Sequence, residues 1–165
     1  GKKGGYSMSL NEISVTNMNQ IEPKHVAVHQ PYEFDRYDVS GLSHENKCTV
    51  TFYSISPGKS NYPYHYHTAN EEVFYIISGH GLLETPTEEI AVTAGDVIVF
   101  PPCKEAAHRL KNTSKNEMLV YLDVDTNNST DTVVYPHTNK VGVFVKGEAP
   151  KFYMQDSNVP YYEGE

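Results

Sequence analysis

Tryptophan is absent from this chain, and cysteine occurs only at Cys48 and Cys103. Two such cysteines outline neither a disulfide framework nor a zinc knuckle, so the chain reads as a cytoplasmic protein of a reducing compartment. Basic residues are scarce as well, since 13 lysines and arginines face 21 acids for a formal net charge of −8. Without a cluster of positive charge, neither nucleic acid nor an anionic membrane is an expected partner. No apolar run approaches the ~18 residues of a membrane helix. The opening Gly-Lys-Lys-Gly-Gly also lacks the apolar stretch of a signal peptide. A sustained helical apolar period is missing too, which excludes a helical bundle.

What the chain has in quantity is tyrosine, with 13 copies. Tyrosine suits strands and amphipathic surfaces alike, so its abundance marks no site. A length of 165 residues can bury a sizeable core in one domain and leaves no room for a second enzyme domain.

Short β-branched and aromatic runs separated by Gly, Pro and Asn turns carry most of the sequence. Lys47 to Ser56 alternates, with Val50 and Phe52 on one side and Tyr53 and Ile55 on the other, and Pro57-Gly58 ends it. Val73-Phe74-Tyr75-Ile76-Ile77 closes at Gly79, and Gly79-His80-Gly81 is expected to be a tight hairpin turn. Leu82 to Pro86 and Glu89 to Val92 read as a further hairpin. Val97 to Phe100 is apolar on both faces, as in a strand between two layers. Glu117 to Val124 puts Met118, Val120, Leu122 and Val124 on one face. Thr126 to Asp131 reads as a solvated loop, after which Val133 to Pro136 and Val141 to Val145 supply more strand-like sequence. This pattern indicates an all-β, double-sheet barrel of jelly-roll type. One domain over 1–165 is expected, with a core barrel over about 45–125, an N-terminal arm over 1–24 and a C-terminal tail over 146–165.

The stretch with chemistry in it runs from Gly58 to Gly79. His65 and His67 are two residues apart, which on a strand turns both imidazoles to one face. A hairpin would then bring Glu72 back beside them. Downstream, Gly95 to Pro102 leads to His108 and, four residues on, to Asn112. Any one histidine here is most simply a hydrogen-bonded strand residue. Three imidazoles with one carboxylate instead make a site for a divalent transition metal such as Mn, Fe, Ni, Zn or Cu, rather than Ca or Mg. Glu71 competes with Glu72 for the carboxylate role, and strand register favours Glu72.

These two blocks resemble the paired motifs of the cupin superfamily. His65, His67, Glu72 and Gly79 match the first motif, and Gly95, Pro101, His108 and Asn112 the second. Two departures stand out: an extra residue between Gly58 and His65, and Cys103 where the motif has glycine. Glycine tolerates positive φ, so a reshaped or strained turn before His108 is expected. The ending from Asp123 onward is similar to small single-domain bacterial cupins of the conserved-barrel type. The resemblance implies a double-stranded β-helix with terminal arms and a metal held by His65, His67, Glu72 and His108. It does not single out a reaction, because the scaffold serves dioxygenases, isomerases, decarboxylases, sugar-binding regulators and storage proteins.

Four protein ligands leave coordination positions open, which suits catalysis or ligand capture better than a structural ion. Phe74 and Ile76, in phase with Glu72, and Leu110, in phase with His108, are expected to line a mostly apolar cavity, while Arg109 points outward. A divalent ion with Glu72 leaves a local charge of about +1. From that charge follows an anionic or vicinal-oxygen small molecule as ligand: a carboxylate, an oxo acid or an enediol. Two function classes fit, a small metalloenzyme and a non-catalytic module that senses or stores a metabolite. Strands apolar on both faces further suggest a homodimer.

Overall fold

A computed structural model describes residues 13–165 of the chain. Of the expected N-terminal arm, residues 1–12 lie outside the described residues. The described part runs extended through a short 3₁₀ turn at Met18–Gln20, and Ser14 and Thr16 tie it by hydrogen bonds to Ser40.

Thirteen strands follow: β1 Lys24–His29, β2 Tyr32–Asp38, β3 Cys48–Ile55, β4 Tyr66–His67, β5 Glu72–Ser78, β6 His80–Glu84, β7 Glu89–Thr93, β8 Val97–Phe100, β9 Arg109–Asn112, β10 Leu119–Thr126, β11 Thr130–Tyr135, β12 Lys140–Val145 and β13 Lys151–Met154. Antiparallel pairing sorts them into a six-stranded sheet, β1-β2-β3-β10-β5-β8, and two shorter sheets, β13-β12-β11-β4 and β7-β6-β9. The shorter sheets join where His65 and His108 form an antiparallel bridge, each backbone N–H donating to the other's carbonyl at 3.1 and 2.9 Å. The result is a jelly-roll barrel of two facing layers, the expected fold class. Strand pairing runs well past residue 125, and β13 falls inside the segment read as a tail.

Between the layers pack Phe34, Tyr53, Ile55, Phe74, Ile76, Leu83, Val92, Phe100, Leu110, Leu119 and Tyr121. Each large side chain removed from water contributes about 1.5–3 kcal/mol. Tyr121 is fully buried, and its hydroxyl accepts a hydrogen bond from Asn61 Nδ2 at 3.0 Å. Asn112, also fully buried, donates from Nδ2 to the carbonyls of Ile55 and Glu117 while its Oδ1 accepts from the Ser114 amide. Its place in the motif is therefore structural, because it satisfies the turn that delivers β10.

Several local expectations change. Gly79 has φ +86° as expected, yet β5 and β6 do not pair, so Gly79 is a corner that carries the chain from one sheet to the other. A Cβ at Gly79 would meet the Met118 carbonyl oxygen at 2.5 Å, which leaves room only for glycine. Cys103 is extended at φ −155°, so the turn before His108 is relaxed. Strand β8 is an edge strand rather than an interior one, with Val97 62% and Val99 59% exposed.

Candidate metal centre

The three histidines come from one layer of the barrel and the glutamate from the other. Residues 60–65 run antiparallel along β9, which sets His65 directly across from His108. Strand β4 pairs with β11 and places His67 opposite Val133. Glu72 opens β5 in the six-stranded sheet, between Asp125 of β10 and Phe100 of β8. No hairpin brings Glu72 to the histidines, since β4 and β5 do not pair; the facing of the two layers does. Glu72 is buried and Glu71 is exposed.

His65 Nε2 lies 3.3 Å from Glu72 Oε1, His67 Nε2 is in contact with the same oxygen, and His108 Nε2 is 3.5 Å from Oε2. The opposite ring nitrogens are all engaged. Nδ1 of His65 donates to the Pro63 carbonyl at 2.8 Å, and Nδ1 of His108 to the Ala106 carbonyl at 2.9 Å. A carbonyl can only accept, so both rings carry their proton on Nδ1 and in the neutral form present a bare Nε2 lone pair. His108 Nε2 is buried with no hydrogen-bond partner. Lone pairs aimed at a carboxylate repel it unless a cation lies between them. His65, His67 and Glu72 thus form a group able to hold a divalent ion, with His108 converging on the same carboxylate. Phe100 stacks on His108 with centroids 3.6 Å apart and fixes the ring plane.

His67 has the most heavily braced ring. Its Nδ1 lies 2.5 Å from Asp131 Oδ2, and Asp131 Oδ1 accepts from the amides of Ala69 and Asn70 at 2.9 and 3.3 Å. Burial works against a charged imidazole, but the bonds to Asp131 and Glu72 outweigh it and raise the His67 pKa to about 10. Those same bonds, with the Ala69 and Asn70 amides, hold Asp131 below its ordinary value despite burial. For Glu72, burial is likewise overcome by the convergence of His108, His65 and His67 upon it, which keeps it well below the usual carboxylate range. Burial dominates at His108, whose pKa is lowered. Low pKa at two of the groups favours the deprotonated state that metal binding requires.

Asp131 is one residue that sequence reading missed, having assigned it to a solvated loop. It is 3% exposed and sits in β11, one alternation before the buried Val133. That two-residue alternation through Asp131, Val133 and Tyr135 was the available signal.

The metal group opens on a cavity of about 280 Å³ lined also by Arg36, Tyr53, Tyr62, Phe74, Asp123, Asp125, Val133, Tyr135 and Phe144. This lining is more polar than expected. Of the three residues expected to line it, Phe74 does, whereas Ile76 and Leu110 are buried in the core instead, and Arg109 turns away to pair with Glu84 at 2.9 Å. Asp123 and Asp125 extend inward from β10, with carboxylate oxygens close enough to Glu72 for the three to share one ion. Burial together with neighbouring negative charge, from Asp125 and Glu72, pushes Asp123 well above the ordinary range. Asp125 rises to about 7, through burial and the charge of Glu72.

Residues 51–125 match the family model described as a cupin domain. Among curated proteins, an uncharacterized protein of Methanocaldococcus jannaschii is 36% identical over 59 residues, a match covering 36% of this chain and 46% of that protein. The chain thus spans less than half of that relative's length. Among solved structures, a provisionally assigned sugar phosphate isomerase of Acidithiobacillus ferrooxidans superposes with TM-score 0.76 at 24% identity, covering 92% of this chain and 97% of that one. A cupin-superfamily sugar phosphate isomerase of Silicibacter pomeroyi gives TM-score 0.76 at 20% identity, covering 87% and 94%. A predicted oxalate decarboxylase of Thermotoga maritima gives 0.58 at 25% identity, covering 68% and 98%.

Proposed function

We propose, for a chain whose residues 51–125 are a cupin domain, that His65, His67, Glu72 and His108 hold a divalent transition metal on which a small oxygenated metabolite is bound and transformed. The observation that carries this reading is the convergence of imidazole Nε2 atoms on one buried carboxylate, with His108 Nε2 left unpartnered. When bound, the metal supplies a Lewis acid that polarises a carbonyl or hydroxyl oxygen. The chain's own part is orientation and proton handling. Asp131 and the Pro63 and Ala106 carbonyls fix the three rings, and their loss is expected to weaken metal binding.

Asp123 and Asp125 favour an enzyme over a storage or sensing module. Carboxyl groups held above their ordinary range beside Glu72 suit the proton transfers of an isomerase, decarboxylase or dioxygenase. The solved relatives described as isomerases and a decarboxylase agree with that class of chemistry. Screening the metal-loaded protein for turnover of sugar phosphates, oxo acids and catechol-type rings tests the enzymatic reading. Tight binding without turnover across that panel would overturn it in favour of a sensing module.

We also infer a cytoplasmic homodimer. Both thiols are unpaired, as a reducing compartment allows. The outer face of the six-stranded sheet carries two apolar rows, Tyr37-Phe52-Leu122-Tyr75-Val97 and Val50-Val124-Val73-Val99, which a second copy would cover.

A further inference from the structure

The extra residue between Gly58 and His65 lengthens a stretch that forms the wall of a second cavity, of about 420 Å³. Asn61, fully buried, pins that stretch. Its Nδ2 donates to the Tyr121 hydroxyl at 3.0 Å, and its Oδ1 accepts from the amides of Tyr62 and Leu110 at 2.7 and 3.3 Å. Tyr62 and Pro63 follow it on the wall, and Val26 and Val28 of β1 with Tyr32 and Phe34 of β2 supply the other sides. Tyr62 also lines the metal cavity, so it is the partition between the two, and the Pro63 carbonyl is the group that holds His65 Nδ1.

Three aromatic rings face this second cavity, and those of Phe34 and Tyr62 stand 5.0 Å apart between centroids at a tilt of 54°. Such walls receive a flat ring, which they meet in offset or edge-on contact. A hydroxyl-rich molecule finds little there, because the Asn61 side chain is already engaged. Charge selects further. No acid lines the cavity, and Lys140 lies on its wall. The lysine ion pairs among the described residues belong to Lys24, Lys59 and Lys104, whereas Lys140 Nζ sits over the rings of Tyr135 at 4.5 Å and Phe152 at 5.8 Å. A cation seated on rings keeps its N–H donors for an anion that comes from outside.

We propose that this second cavity is a binding site for an aromatic ring bearing one anionic group, an arylcarboxylate, with the ring among Val26, Phe34 and Tyr62 and the anion at Lys140. The site does not need the metal. Its ligand binds whether or not an ion is present at Glu72, so failure of the metal reading and failure of this one are told apart.

The test titrates 2-naphthoate and its neutral counterpart, 2-naphthalenemethanol, by calorimetry into the parent protein and into Glu72→Gln, while NMR follows the methyl resonances of Val26 and Val28. Chelator-treated parent protein replaces Glu72→Gln should that variant not fold. Naphthoate is expected to bind both proteins equally, about tenfold more tightly than the alcohol, and to shift both valines. Lys140→Met should remove the tenfold preference, and Lys140→Arg should keep it. Naphthoate that binds the parent but not the metal-free protein is held by the metal instead, which overturns the proposal. So does the absence of binding to the parent, as a cavity already filled by another part of the chain or by a second copy would give. An undiminished preference in folded Lys140→Met overturns it as well.

Discussion

The two faces of strand β10 differ in a way that runs against simple hydrophobic sorting. Its inward face carries Leu119, Tyr121, Asp123 and Asp125, and its outward face carries Val120, Leu122 and Val124. Carboxylates point into the barrel while valines and a leucine point out. A face that buries ionisable groups needs partners for them, and here the proposed partners are a cation at Glu72 and the metabolite that would fill the cavity. An apolar face turned outward needs a cover of its own. The comparison teaches that on this strand burial follows the site's chemistry as much as side-chain hydropathy.

The largest effect separates two neighbours on opposite faces of β5. Phe74 is 2% exposed and Tyr75 44%. Phe74→Ala should cost about 3–5 kcal/mol in urea denaturation, and Tyr75→Ala under about 1 kcal/mol per subunit. Equal costs would mean that the two faces are not distinguished by packing.

Next comes the brace behind His67. Asp131→Asn keeps the shape but exchanges a charged acceptor for a neutral amide, and metal affinity should fall by about tenfold to a hundredfold in chelator competition. Unchanged affinity would reduce Asp131 to a loop-tethering role through the Ala69 and Asn70 amides.

A smaller effect concerns the inward acids. Folded Asp125 titrates near 7 against an ordinary 3.8, so the metal-free fold holds the extra proton and loses stability as pH rises from about 4 through 7. Asp125→Asn removes that loss. The metal-free variant should exceed its parent by about 1–2 kcal/mol near pH 8, with no gain near pH 4. The opposite trend, a gain only in acid, would contradict the sign of the shift.

The smallest change in subunit stability is expected on the outer face. Val97→Lys alters a side chain 62% exposed on edge strand β8 and should shift stability by under about 0.5 kcal/mol. Light scattering should nevertheless move from dimer to monomer. A parent protein that is already monomeric would leave the outer apolar rows without the proposed cover.

Much of this was legible beforehand, and the failures have physical causes. Turn residues and two-residue alternation were enough for a double-sheet barrel, and motif spacing singled out His65, His67, Glu72 and His108. The route by which Glu72 meets the histidines was not legible, since sheet-to-sheet facing depends on the Gly79 corner, which reads like a hairpin glycine. Asp123 and Asp125 were passed over because the apolar alternation of Val120, Leu122 and Val124 drew notice to the outer face. Asp131 was hidden in a run of Thr, Asn and Ser, where only its phase with Val133 separated it from solvent.

The central claim is that a divalent ion is held at the buried carboxylate of Glu72, and metal analysis of the purified protein tests it most directly. A single transition-metal ion per chain is expected in the parent protein. Glu72→Gln should lose it, and Glu71→Gln, altered at the exposed neighbour, should keep it. Full metal content in Glu72→Gln, or loss only in Glu71→Gln, would contradict the account.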